Sequence, residues 1–303
     1  MSRLNSAVRS VIRSRWVQAA ALSSGVAEEF ASAYVVPAES DAIAVARKLQ
    51  KQGLEISLAY LPTSDDESES PGRILETLEH LGDLARGAEL SVKPSSLGLR
   101  ADRVAAAAVL DGLCQAADDA GALITLEMQG ADEYQPTLDL WQRARLDHPL
   151  LGITLPADIR RAERDVAKAA GAGAGARVRL CVGSYPVPPS MGYRRERDKQ
   201  LALVRCLRVA MESGAYAMLA SHDPTLIAIA QDLARRNAIP RDGFEFQMFY
   251  GVRPLEQRRL ADIGFRSRTY VPFGRGWFEY LTTRVAARPR TAFSYLRAVA
   301  DKS

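Results

Sequence analysis

The sequence predicts an α/β fold: a (βα)8 barrel of the TIM type, carried behind an N-terminal helical segment. Two observations predict it. From residue 55 to about residue 284, eight short apolar runs alternate with eight helical stretches, each run too short to be a helix of its own. Strands joined by helical crossovers pair in parallel, and eight such units can close on themselves. A doubly wound open sheet is the competing arrangement, but it rarely runs to eight uninterrupted units.

The elements follow in order. Residues 1–50 read as a helical lead. Its first 26 residues hold Arg3, Arg9, Arg13 and Arg15 and no acid. Such a segment reads either as a helix packed on the domain with solvated arginines, or as a transit peptide or basic helix on a membrane surface. Residues 55–61 form the first strand, between Gly53 and Pro62. An acidic loop at 64–70 follows, then a helix in which Ile74, Leu75, Leu78, Leu81 and Leu84 recur at helical spacing. Strands are expected next at 89–92, 122–128, 150–155, 178–182, 216–220, 244–249 and 268–271. Helices are expected between them at 101–120, 135–146, 157–170, 196–213, 224–237 and 254–263, and a last helix opens near Trp277. Proline stands at the first turn of two of these helices, at Pro224 and Pro254; Gly264 closes the second of these, and Gly121 and Gly214 close two others. The expected domains are therefore a helical segment at 1–50, the barrel at 53–290 and a tail at 291–303.

Several function classes are excluded on composition and motif. A net charge of +4 on 303 residues is too mild to point to nucleic acid. No apolar run approaches the roughly 18 residues of a membrane span. Cys114, Cys181 and Cys206 are widely spaced, which fits a reducing cytoplasm and supplies no zinc site. The three histidines, His80, His148 and His222, fall in different units. The glycine-alanine run at 170–176 closes a helix instead of opening one, so it is a loop and not a dinucleotide fingerprint.

Barrel logic places function at the C-terminal ends of the strands. There the sequence gathers Lys93, Glu127, Tyr185, His222, Asp223, Gln247, Tyr250, Tyr270 and, on the last helix, Tyr280 and Arg284. Tyr280 and Arg284 are four apart and share a helix face. A cation and a phenol at a strand end suit a small anionic substrate. The run 193–199 adds arginines on the same rim, where they could grip a diphosphate.

Four stretches then resemble one family. Arg177-Val-Arg-Leu-Cys-Val-Gly-Ser-Tyr185, Ala220-Ser-His-Asp223, Phe244-Glu-Phe-Gln-Met-Phe-Tyr-Gly251 and Arg268-Thr-Tyr-Val-Pro-Phe-Gly274 are similar to motifs of the proline dehydrogenases, in the same order and over roughly residues 53–290. The resemblance implies a barrel that binds FAD without a Rossmann domain, oxidises L-proline to pyrroline-5-carboxylate and passes electrons to a quinone or another acceptor. It implies that Arg179, Cys181, Gly183, Ser184, Tyr185, Arg194, His222 and Gln247 bind the flavin. It implies that Lys93, Glu127, Tyr270, Tyr280 and Arg284 form the site for a small amino acid. The implied location is cytoplasmic, with peripheral contact to the inner membrane through the basic N-terminus as a further expectation.

Some positions depart from the family pattern. Thr283 stands where the family has a second arginine, Ala287 where it has a glutamate, Glu127 where it has an aspartate, and Pro156 where it has a glutamine. Loss of one charged hydrogen bond costs about 1.5–3 kcal/mol. A related cyclic amino acid in a specialised pathway is therefore an alternative substrate, and a barrel that binds without redox chemistry is the alternative class.

Overall fold

The computed structural model describes residues 34–63, 67–171, 173, 175–183, 185, 187–277 and 279–280. Arg284 and Ser184, with Thr283, Ala287 and most of the N-terminal segment and the tail, lie outside them. Eight strands run in chain order: β1 (Glu55–Tyr60), β2 (Glu89–Val92), β3 (Leu123–Leu126), β4 (Gly152–Pro156), β5 (Arg177–Cys181), β6 (Tyr216–Ala220), β7 (Glu245–Phe249) and β8 (Arg266–Phe273). Each pairs in parallel with the next and β8 returns to β1, which closes the barrel.

Helix α1 (Glu39–Lys51) precedes the barrel, and α2 (Ser70–Leu81), α3 (Arg103–Ala120), α4 (Tyr134–Ala144), α5 (Ala162–Gly171), α6 (Glu196–Glu212), α7 (Pro224–Arg236) and α8 (Pro254–Asp262) connect successive strands. Their ends follow from local chemistry. Asp102 caps α3 by accepting from Val104 N at 2.8 Å, and Gly121 ends it at φ 68°, a left-handed backbone that glycine adopts without strain. On α3, Leu110, Leu113, Cys114 and Ala117 form the buried stripe laid on the barrel.

The strands differ from expectation in one respect. They are not apolar on both faces. Ile56, Leu90, Ile124, Ile153, Val178 and Phe246 face the helices in the apolar core. Their neighbours along the chain face the barrel axis and are polar: Ser57, Glu89, Thr125, Arg177, Arg179, Glu245 and Gln247, all buried. Hydrogen bonds prove the inward direction. Arg177 reaches Glu89 at 3.0 Å and Arg179 reaches Ser91 at 2.7 Å, although β5 and β2 are not neighbours in the sheet. Gly152 belongs to the same face, where a Cβ would stand 3.2 Å from Thr125 Cβ.

Three element boundaries also shift. β8 begins at Arg266 and ends at Phe273 because it is paired along its length by both β7 and β1. α5 begins at Ala162 and not at Ala157, since Ile159 bridges Gly192 and Ala157 N bonds Cys181 O at 2.8 Å. At residues 34–38, just before α1, the chain is not helical: Val36 bridges Phe273 in parallel, so an extended segment is laid on the tip of β8.

Candidate active site

A cavity of about 1050 Å³ opens at the C-terminal ends of the strands. Its floor is built by β5 and β7. The Arg179 guanidinium, nearly fully buried, donates from Nε to Gln247 Oε1 at 2.6 Å and from Nη1 to Ser91 Oγ at 2.7 Å, and it pairs with Glu89. Gln247 donates in turn from Nε2 to Glu245 Oε1 at 2.5 Å. Burial works against the Arg179 charge, but the carboxylates of Glu89 and Glu127 outweigh it and raise the pKa, so this group stays a cation.

Beneath the floor lies an ion network. Arg268 donates to Glu245 at 2.8 and 3.0 Å and pairs with Glu55, and Arg177 pairs with Glu89. Burial alone would push the Glu89 carboxyl up, but Arg179, Arg268 and Arg177 bring it down to about 2. Glu245 is lowered by the same contest, chiefly through Arg268, while at Glu55 burial wins and the pKa rises. Such charges are tolerable inside a protein because each has a partner.

One chain of hydrogen bonds climbs from floor to wall. Arg179 donates to Ser91, Ser91 donates to Glu127 at 2.9 Å, and Tyr270 OH donates to the same Glu127 oxygen at 2.5 Å. Arg179 also lies 5.8 Å from the Tyr270 ring centroid, and Lys93 Nζ lies 5.8 Å from that of Tyr280. Across the cavity, His222 Nε2 accepts from Phe249 N at 2.9 Å, and the Phe249 ring stacks on it at 5.4 Å. At the end of β5, Gly183 N donates to the buried Asp158 at 2.7 Å, and Asp158 O accepts from Tyr193 N at 2.8 Å. The segment after β5 is thereby tied over the end of β4.

The structure brings eleven of the sequence-predicted residues to one cavity: Lys93, Glu127, Arg179, Cys181, Gly183, Tyr185, His222, Asp223, Gln247, Tyr270 and Tyr280 all line it. Arg194 does not line it; it is exposed, just ahead of α6. Tyr250 also lies off the lining, with burial pushing its phenol pKa up. Pro156 lines the cavity and presents no donor. Sequence reasoning missed Ser91 and the ion network. The signal was there, since Glu89/Ser91, Arg177/Arg179 and Glu245/Gln247 are polar pairs at strand spacing. Among the described residues no group of His, Cys, Asp and Glu is placed to hold a metal.

The comparisons with known proteins agree with this geometry. No family model matches the chain. Proline dehydrogenase 1 of Bacillus subtilis is 28% identical over 265 residues, 86% of this chain and 87% of that one. Proline dehydrogenase 2 of the same organism is 27% identical over 261 residues. The chain is therefore similar to proline dehydrogenases over most of its length. Among solved structures, proline utilization A (PutA) from Bdellovibrio bacteriovorus superposes with a TM-score of 0.76 at 19% identity, over 87% of this chain. The present chain spans 34% of that longer protein, and the likeness establishes the shared barrel. The motifs that carry the proline dehydrogenase resemblance are those that line the cavity: the ends of β5, β6, β7 and β8.

Proposed function

We propose that this protein is a flavin-dependent dehydrogenase that oxidises L-proline to pyrroline-5-carboxylate. The observation that carries the reading is the linked set Arg179–Ser91–Glu127–Tyr270, which joins a cationic cavity floor to a polar wall in a chain similar to proline dehydrogenases.

The residues present fit FAD. The cavity lies at the upper end of the size range of small-molecule sites, room for a large cofactor beside a small acid. Gly183 supports the fit: a Cβ there would stand 2.9 Å from Asp158 Oδ1 and 3.1 Å from Pro156 Cβ, so the backbone can hug the end of the barrel only without a side chain. Arg179 and Gln247 at the floor, with Cys181, Gly183, Ser184 and Tyr185 above them and His222 opposite, would hold the flavin. Arg194 would meet its phosphates from the rim. When bound, FAD supplies the hydride acceptor.

The protein's own groups position the substrate. Arg284, assigned from the sequence, pairs the carboxylate bidentately. Tyr270 and Tyr280 shape the pocket and exclude water, while Lys93 and Glu127 form its polar wall. So held and with its amine neutral, the ring carbon beside the nitrogen would give up its hydrogen with the bonding pair to the flavin, the nitrogen lone pair would close the C=N bond, and the resulting iminium would release its N–H proton to solvent. The electrons then pass to a quinone or another acceptor. A cytoplasmic location with peripheral membrane contact belongs to the same proposal. No helix among the described residues is long and apolar enough to cross a membrane.

Purified protein tests the reading. A flavin absorption band that bleaches on addition of L-proline is the expected result. A band that ignores proline and bleaches with a ring-substituted analogue would move the substrate, and protein that takes up no FAD would overturn the assignment. Replacing Arg284 by Met removes the bidentate pair and should raise KM for proline by about tenfold or more at unchanged flavin content, since even one charged hydrogen bond corresponds to that factor.

A further inference from the structure

The loop after β7 carries a clamp that the reaction as described does not use. Gln257 on α8 is 2% exposed and does not line the cavity. Its Nε2 donates to Phe249 O at 3.0 Å and to Val252 O at 2.7 Å, and its Oε1 accepts from Thr269 Oγ1 at 2.5 Å. All three bonds fix the amide's orientation and hold the loop against β8. Phe249 is therefore gripped twice: Gln257 holds its carbonyl, while its N–H enters His222 Nε2 at 2.9 Å. Arg253 completes the grip from the same loop. It stands at φ 50° and ψ 51°, a left-handed conformation unusual for a residue with a side chain and more so before a proline. From there its Nη1 donates to His222 O at 2.7 Å. The loop thus meets His222 at both backbone and ring.

The arrangement has a chemical consequence. A ring nitrogen that accepts a backbone N–H cannot carry a proton. The neutral imidazole of His222 must hold its proton on Nδ1, and any donation it makes in the cavity goes through that atom. We propose that Arg253 and Gln257 are positioning residues that fix the Nδ1–H tautomer of His222 and its place in the cavity wall, although neither touches the cavity. The strained backbone of Arg253 is the signature of that role, since strain persists only where its surroundings over-determine it.

The proposal rests on the cavity being a flavin site, and its test separates the two ideas. The tautomer is read by imidazole ¹⁵N NMR of the flavin-free protein at alkaline pH, and flavin affinity by fluorescence titration with FAD. Arg253→Asn is the main variant, since asparagine tolerates the left-handed backbone but is too short to reach His222 O. The wild type should show Nδ1–H alone. Arg253→Asn should show a mixture of tautomers and bind FAD roughly tenfold more weakly, within the range for one charged hydrogen bond. Arg253→Lys, which keeps reach and charge, should recover most of the loss. Combined with His222→Ala, Arg253→Asn should add nothing further, because the residue acts through the histidine. Additive losses, or a wild-type tautomer in Arg253→Asn, would overturn the clamp. Protein that binds no FAD at all would overturn the flavin reading instead, and the tautomer measurement would still decide the clamp.

Discussion

Along β5, Val178 and Leu180 face the helices while Arg177 and Arg179 face the barrel axis, and the two pairs are held by unlike physics. The outer pair is stabilised by removal of apolar surface from water, a term that needs no direction and tolerates a change of shape at moderate cost. The inner pair is stabilised only while each charge keeps its partner across the barrel, a term with fixed geometry and no slack. The comparison teaches that the barrel wall is forgiving and its interior is not. The cavity floor belongs to the unforgiving side, because Arg179 serves both the ion network and the site.

The largest expected effect breaks the inner face. Glu245→Leu takes from Arg268 its fully buried partner, leaving Glu55 as its remaining carboxylate, and should lower unfolding stability by about 3–5 kcal/mol in urea denaturation. Adding Arg268→Met should restore part of that loss, because the buried charge left short of a partner is then gone. A double variant no more stable than the single one would mean that the Arg268 bonds to Ile56 O and Gly87 O matter more than its ion pair. On the outer face, Leu155→Ala should cost about 2–5 kcal/mol by cavity formation and show no such rescue.

Acid should separate the faces next. Glu89 has its folded pKa depressed to about 2 from an ordinary 4.5, so its contribution is complete above pH 4.5 and is lost as pH falls toward 2. The shift corresponds to roughly 3 kcal/mol. Glu245 acts in the same direction, and Glu55, raised by burial, acts against them. Denaturation midpoints between pH 5 and pH 2 should therefore fall steeply. A flat profile would mean that the network is already broken at neutral pH.

At the rim, Tyr270→Phe removes the hydroxyl bond to Glu127 and should reduce kcat/KM by about tenfold or more with little change in stability. The smallest effect lies far from the cavity. His148 stands 2.9 Å from Asp111 and 3.0 Å from Asp118; burial lowers its pKa, but these two acids prevail and raise it. Its contribution is present below pH 6.5 and is lost as pH rises through the folded value. Because both aspartates are well exposed, solvent screening limits it to about 1 kcal/mol or less, and His148→Gln should flatten that part of the stability profile.

Much of this was legible in the sequence. The order of strands and helices followed from run length and from the proline and glycine signals, because those features act locally. Lys93, Glu127, His222 and Tyr270 were singled out because strand ends are where a barrel displays function, and they line the cavity. What was missed depends on closure. Glu89 reads as a solvated strand start until Arg177 and Arg179, about 90 residues later in the chain, arrive beside it. Gln257 reads as a polar helix residue until the β7 loop folds back onto it. Arg194, expected on the rim, is exposed ahead of α6 and does not line the cavity, because sequence adjacency to a site does not give side-chain direction.

The ion network also limits how this barrel could be recombined. Among the described residues it matches three carboxylates, Glu55, Glu89 and Glu245, with three buried guanidinium groups, Arg177, Arg179 and Arg268, while the exposed Arg266 also meets Glu55. Glu55 and Glu89 sit in the first half of the chain, and Glu245 and all three arginines in the second. A chimera joining β1–β4 to the last four strands of an apolar-lined barrel would inherit two acids without their cations. The halves of this molecule are therefore heritable only as a set.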